Sequence, residues 1–270
     1  MMTATDEPIA QDPVLTQRIG RTLLITLNRP KQLNAVNAAV TAGLAAALEQ
    51  AKHDDDIWTV VVTGTGRAFC AGADLKAVAG GEPLTAIGYE HFGWGGWVNH
   101  FIPKPIIAAL NGLARGGGTE IALASDLIVA QDTATLGLPE VSVGVMAVGG
   151  GAFRLPRQIP WKVGLEMLYT GEAMTAQRGL ELGLISRVVP TGASVVDAAL
   201  ELADRINVNA PLSVQASKRV AYGARDGQAV LDAPWWEATT RETAEMNASQ
   251  DTKEGPRAFA EKRPPIWTGR

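Results

Sequence analysis

Gly116-Gly117-Gly118 runs directly into Thr119-Glu120-Ile121-Ala122-Leu123, a pattern that reads as glycines opening a helix. The first turn of a helix leaves backbone N–H groups without intrahelical partners, and a glycine there lets a substrate oxygen come close to the backbone. The partial positive charge of the helix start favours a negative oxygen, so the segment could hold an oxyanion. Taken alone, a glycine triplet reads more readily as a tight turn. It is not a P-loop, which needs Gly-Lys followed by Ser or Thr, and no Gly-x-Gly-x-x-Gly stands in a dinucleotide context. The second run, Gly149-Gly150-Gly151, lacks those partners too.

Glu120 follows the first triplet within one helical turn, where a glutamate can also serve simply to complement the helix dipole. Glu140 follows Leu136-Gly137-Leu138-Pro139 in an apolar stretch that continues to Val141, Val143 and Val145, where a charge is out of character. Two carboxylates flanking one water suit acid-base work, one accepting a proton and one supplying another. Their spacing along the chain does not show that they meet. Arg67 to Lys76 is rich in small residues that leave backbone N–H groups approachable, so a second oxyanion donor could lie there. Cys70 has no histidine near it in sequence and reads as a buried filler rather than a nucleophile.

Composition narrows the classes. The 270 residues carry 24 Lys and Arg against 28 Asp and Glu, a net charge of −4, so no basic excess is present to neutralise nucleic acid. One cysteine and three scattered histidines offer no zinc-ligand spacing, and no metal is expected. The acidic start, MMTATDEPIAQDP, resembles no signal peptide, and no apolar run of membrane-spanning length occurs, so a cytoplasmic protein with no membrane association is expected.

Elements that could position these residues follow from pattern. Val14 to Ile19 and Thr22 to Leu27 read as a hairpin across Gly20-Arg21, ended by Asn28-Arg29-Pro30. Asn37 can cap a helix carrying Val40, Leu44, Leu48 and Ala51, and Trp58 to Thr63 reads as a buried strand. Pro105 to Leu110, Ser125 to Ala130 and Arg187 to Val189 are further short apolar segments. Helical stretches lie near Thr119 to Ala124, Lys162 to Tyr169 and Thr175 to Leu182, and an amphipathic one runs over Ser194 to Ile206. The alternation predicts an α/β fold, and beyond Pro211 the chain shows helical patterns without convincing strands.

Arg67 to Lys76, Asn111 to Glu120 and Leu138-Pro139-Glu140 resemble the signature segments of the crotonase (enoyl-CoA hydratase/isomerase) superfamily. The resemblance extends from Leu27-Asn28-Arg29-Pro30 and Leu33-Asn34-Ala35, through Thr170-Gly171 and Ala176 to Leu184, to Phe259-Ala260-Glu261-Lys262-Arg263. It implies a spiral of β-β-α turns over residues 1–206, an acyl-CoA-binding core, and a helical oligomerisation region over 207–270. It further implies a homotrimer, or a homohexamer built from two trimers. By the same resemblance Ala73 and Gly117 donate their N–H groups to the thioester oxygen of an acyl-CoA, and Ala71, Asp74, Leu75 and Lys76 border the CoA. Lys262 would reach a CoA phosphate from a neighbouring subunit, although both lysines read equally as plain surface charges.

Family hydratases place glutamates where Glu120 and Glu140 stand, which implies hydration of a trans-2-enoyl-CoA with no cofactor beyond the CoA of the substrate. In that reading Glu120 activates water and Glu140 delivers the proton. Enoyl-CoA isomerisation, which can run on one glutamate, and acyl-CoA binding without turnover remain the alternatives. One departure stands out: Ala147-Val148 precedes Gly149 where many members carry Pro-Gly, so the wall beyond the second glutamate is expected to be reshaped. Trp94 and Trp97 fall where the family often lines the acyl pocket, and read either as gates or as packing under a glycine-rich loop.

Overall fold

In the structure, a computed structural model, residues 12–270 are described, the side chains of Phe259 and Ala260 excepted; the rest of the acidic start lies outside them. Val14–Ile19 (β1) and Thr22–Leu27 (β2) pair antiparallel across Gly20, whose φ of +57° makes the two-residue turn, as the sequence predicts. Asn37 accepts from Val40 N–H and starts α1 (Ala38–His53), whose Val40, Leu44, Leu48 and Ala51 are buried. Then come β3 (Thr59–Gly64), β4 (Ala68–Cys70), α2 (Leu75–Ala79), β5 (Ile106–Leu110), β6 (Leu113–Arg115) and α3 (Gly117–Ala124). The chain continues with β7 (Leu127–Gln131), β8 (Thr135–Gly137), α4 (Gly151–Gln158), α5 (Trp161–Thr170), β9 (Ala173–Thr175), α6 (Ala176–Glu181), β10 (Arg187–Val189) and α7 (Val195–Asn207).

The strands form two sheets. The larger has the order β1-β2-β3-β5-β7-β10, parallel from β2 onward; the smaller has the order β4-β6-β8-β9. Side chains alternate across the larger sheet with period two. Leu23, Ile25, Val60, Val62, Ala108, Leu110, Ile128 and Ala130 face α1 and the small sheet. Val61, Ile107, Ala109 and Val129 face α7, which answers with Val195, Ala199 and Ala203. A strand buried on both faces reads as a continuous apolar run, which is how Thr59–Gly64 reads.

Each of β3, β5 and β7 is followed within four residues by a short strand of the second sheet, so a strand-strand unit recurs in space without a sequence repeat. Two asparagines fix the crossing between sheets. Asn34, buried and at φ +57°, accepts from Arg29 N–H and donates to Thr65 O and Ala68 O. Asn111 accepts from Gly64 N–H and donates to Gly66 O and Ala68 O.

After α7 the chain forms α8 (Pro211–Ala221), β11 (Ala224–Arg225), β12 (Gln228–Ala229), α9 (Ala233–Asn247) and α10 (Asp251–Ala260). The two-residue strands β11 and β12 correct the expectation of a region without strands; they flank Asp226-Gly227, a turn pair with both φ positive. Among the described residues no helix is long and apolar enough to cross a membrane.

Candidate active site

The small sheet, which pattern does not reveal, delivers the site. Its strands β4, β6 and β8 end side by side, and one functional segment follows each.

After β4, Ala71 N–H donates to Leu33 O, Gly72 N–H to Cys70 Sγ and Asp74 N–H to Val36 O. Ala73 N–H, between them, has no acceptor among the described residues. After β6, Gly116 N–H donates to Gly137 O and Glu120 N–H to Gly116 O, while Gly117 N–H has none. The two segments touch at Gly72 (φ +90°), where a Cβ would lie 2.9 Å from Arg115 O and 3.2 Å from Gly117 N. Gly118 is as constrained, since its Cβ would fall 2.0 Å from Cys70 O. Thr119 Oγ1, 3.0 Å from Ala114 O and 2.9 Å from Gly137 O, ties the start of α3 to β6 and β8. Two free N–H groups therefore stand on adjoining rigid segments.

Glu120 turns inward from the first turn of α3 and is buried. Gly151 N–H donates to its Oε1 at 2.9 Å. A Cβ on Gly149 would lie 2.4 Å from Oε2, so only glycine admits the carboxylate there. Glu140 follows β8 on a 3-10 turn (Pro139–Val143), and its Oε1 would be 3.0 Å from a Cβ on Gly116. Its Oε2 is buried with no hydrogen-bond partner. Burial first, then the charge of Glu140, pushes the Glu120 carboxyl up to about 8; burial pushes Glu140 up to about 7. Both carboxyls thus hold a proton more tightly than free glutamates do.

In the apolar stretch after Glu140, Val141 is exposed and Val143 and Val145 are half-buried, while the Glu140 Oε2 is buried. The turn is backed by α10, where a Cβ on Gly255 would meet Val143 O at 1.9 Å. The second glycine triplet, which in sequence offers no partner, is the cradle of Glu120, and Arg154, four residues beyond Gly150, packs against that turn. Ala147, in the departure from the Pro-Gly pattern, is buried against Gly151. Of the two tryptophans, Trp97 is core packing at 2% exposure, whereas the ring of Trp94 rests on Gly117, 2.0 Å from where a Cβ would be.

The remaining expected residues lie around this centre unequally. Ala71 is half-buried beside the free Ala73 N–H, and Leu75 and Lys76 are exposed at the start of α2. Asp74 caps α2, accepting from Lys76 and Ala77 N–H, and pairs with Arg29 at 2.9 Å. Burial raises its carboxyl, but Arg29 and those N–H groups outweigh it and hold it below the usual range, so its role in the structure is a cap. Lys262 is exposed just after α10, and no hydrogen bond or ion pair ties it to the glutamates. Cys70 is buried, and burial pushes its thiol up to about 12. Iodoacetamide at mildly alkaline pH is expected to leave the native thiol unmodified and to label it fully in denaturant; rapid labelling of the native protein would show the packing around β4 to be wrong.

Two such carboxyls beside two free N–H groups can move protons at carbon while holding a carbonyl oxygen that turns negative. That chemistry, on an α/β fold of stacked strand-strand units, defines an acid-base site for an activated carbonyl compound. The sequence model for enoyl-CoA hydratase/isomerase matches residues 19–270, and the chain belongs to that family, within the crotonase superfamily. It is 40% identical over 272 residues to carnitinyl-CoA dehydratase of Proteus mirabilis, covering 97% of this chain and 100% of the relative. It is 38% identical over 260 residues to enoyl-CoA hydratase EchA19 of Mycobacterium tuberculosis, covering 95% of this chain and 96% of the relative. A crystal structure of carnitinyl-CoA hydratase from Mycobacterium avium matches with a TM-score of 0.94 at 54% identity, covering 97% of this chain and 100% of that one.

Proposed function

We propose that the protein is a hydro-lyase that interconverts a trans-2-enoyl-CoA and its 3-hydroxyacyl-CoA. The observation that carries this is the Glu120 and Glu140 pair, both held above the carboxylate range, next to the free N–H groups of Ala73 and Gly117. An isomerase needs only one such group, so the pair favours addition or removal of water. The named activities of the relatives support the same class.

In hydration, Glu120 takes a proton from the water whose oxygen bonds C3, and Glu140 gives its proton to C2. The thioester oxygen, negative in the enolate, lies between Ala73 and Gly117 N–H. Dehydration reverses each step: Glu140 as carboxylate removes the C2 proton, and Glu120 as acid protonates the departing hydroxyl. In this reading Leu75 and Lys76, exposed at the start of α2, border the CoA together with half-buried Ala71 and Asp74. Val208, Leu212 and Val220 present apolar side chains to solvent in the single chain, which supports self-assembly as a trimer or a pair of trimers, Lys262 serving a neighbour's CoA.

The test is the enoyl absorbance of crotonyl-CoA, a longer trans-2-enoyl-CoA and carnitinyl-CoA incubated with the protein. Loss of the signal from the enoyl esters, or its appearance from the hydroxy ester, is the expected result. Tight binding of these esters with no spectral change would point instead to a protein that binds acyl-CoA without turnover.

A further inference from the structure

The glycine run that receives Glu120 is itself held from behind. Arg154 N–H donates to Gly150 O at 2.9 Å. A Cβ on Gly150 (φ +96°) would sit 2.7 Å from Arg154 Nη1 and 3.1 Å from the Trp236 ring. Guanidinium and indole therefore close the outer side of a turn whose inner side touches the Glu120 carboxylate. The guanidinium lies over the rings of Phe153 and Trp236 at 5.2 and 5.3 Å. Its Nη2 donates to Asp232 Oδ2 at 3.3 Å, while Arg157 Nη1 reaches Asp232 Oδ1 at 2.9 Å. Arg154 Nη1 is buried without an acceptor. A guanidinium desolvated to this degree is costly to keep where packing alone is needed, since an apolar side chain of similar volume would fill the space more cheaply.

We propose that Arg154 is a positioning residue for Glu120: with Asp232 it fixes the Gly149–Gly151 turn that receives the carboxylate, and its charge opposes that of Glu140 across the pair. The proposal rests on the two-glutamate reading of the site. Asp232 stands just before α9, so the region after Pro211 acts on Glu120 through this arginine, just as α10 backs the turn that carries Glu140.

The charges that meet here give the proposal a sign. Glu120 faces Glu140 from the 3-10 turn, Arg154 from α4, and the N–H groups of Gly149 and Gly151. Arg154 faces Asp232 and, after α8, Tyr222. Removing the arginine charge must make Glu120 harder to ionise. Removing the Asp232 charge, with the hydrogen-bond acceptor kept, must make it easier. A purely structural role would move both variants the same way or neither.

The experiment is a titration of the Glu120 carboxyl by isotope-edited infrared spectroscopy of the full-length protein, the band being assigned by its loss in Glu120→Gln. In Arg154→Met the midpoint is expected to rise by roughly one pH unit, in Asp232→Asn to fall by a smaller amount, and in Arg154→Lys to stay near that of the wild type. Shifts of one sign in the Met and Asn variants, or no shift in either while circular dichroism is native, would overturn the proposal. If Arg154→Met does not fold, the other two decide: a fall in Asp232→Asn supports the role, and a rise or no change refutes it. The readout needs no turnover. A protein that titrates as expected yet hydrates nothing would sink the hydro-lyase reading and leave the Arg154 role standing.

Discussion

Glu120→Gln is expected to lower turnover by about 100- to 10,000-fold while leaving the fold intact, and Glu140→Gln to do the same, because in the proposed mechanism each removes one partner of an acid-base pair. Glutamine keeps the shape of the side chain and can still accept from Gly151 N–H, so the loss reads the proton and not the packing. The same substitution has an opposite effect on stability, and its sign follows from linkage. The Glu120 carboxyl is raised from 4.5 to about 8 in the folded chain, so over that interval the native state holds a proton that the unfolded state has released. Stability contributed by this residue is therefore intact at low pH, falls as pH rises through the interval, and stays reduced above it. Glutamine removes the dependence, and Glu120→Gln is expected to be more stable than the wild type above pH 8, by an amount on the order of a few kcal/mol. Urea unfolding at about pH 5 and about pH 9 measures both arms. A variant that loses turnover but is no more stable at the alkaline end would contradict the buried, charge-opposed placement of Glu120.

Gly117→Ala carries the second large effect. An alanine keeps the backbone N–H, so any loss comes from where that N–H points. Its Cβ would fall 2.0, 2.4 and 2.5 Å from three carbons of the Trp94 ring. Gly95 N–H bonded to Leu84 O and the bridge between Trp94 and Thr85 fix the backbone that carries this ring. The clash is expected to shift the start of α3, and displacing a donor to the proposed oxyanion costs about 100-fold or more in turnover. Trp94→Ala in the same chain is expected to restore much of that loss, giving strong coupling between two residues that no sequence spacing associates. Turnover within a few fold of the wild type in the single variant would remove Gly117 from the oxyanion site.

The large sheet and the helices that flank it are legible in the sequence because every strand but the three-residue β10 runs five or six residues and their helices have caps. Asn37, Thr175 and Ser194 each accept a backbone N–H at the helix start they mark. The small sheet is not legible. Ala68–Cys70, Leu113–Arg115 and Thr135–Gly137 are three residues long, too short for alternation to show, and they are strands only because they meet one another across the top of the core. The candidate site inherits this asymmetry. Its residues are visible as types, two glutamates and a glycine-led helix, but their meeting depends on the small sheet. The role of Gly149–Gly151 is invisible for a related reason: the group it accommodates comes from a helix that begins more than thirty residues earlier. Trp94 and Trp97 are indistinguishable by composition, and only the glycine turns around them decide that one enters the core and the other covers Gly117.

The most direct measurement is the fate of solvent in the product. A trans-2-enoyl-CoA incubated with the protein in heavy-oxygen water, and in parallel in deuterium oxide, is analysed by mass spectrometry. The two-glutamate account predicts one solvent oxygen at C3 and one solvent hydrogen at C2, with both incorporations lost together in Glu120→Gln and Glu140→Gln. Solvent hydrogen in the acyl chain without solvent oxygen would contradict it, and would show a site that moves protons along the chain but adds no water.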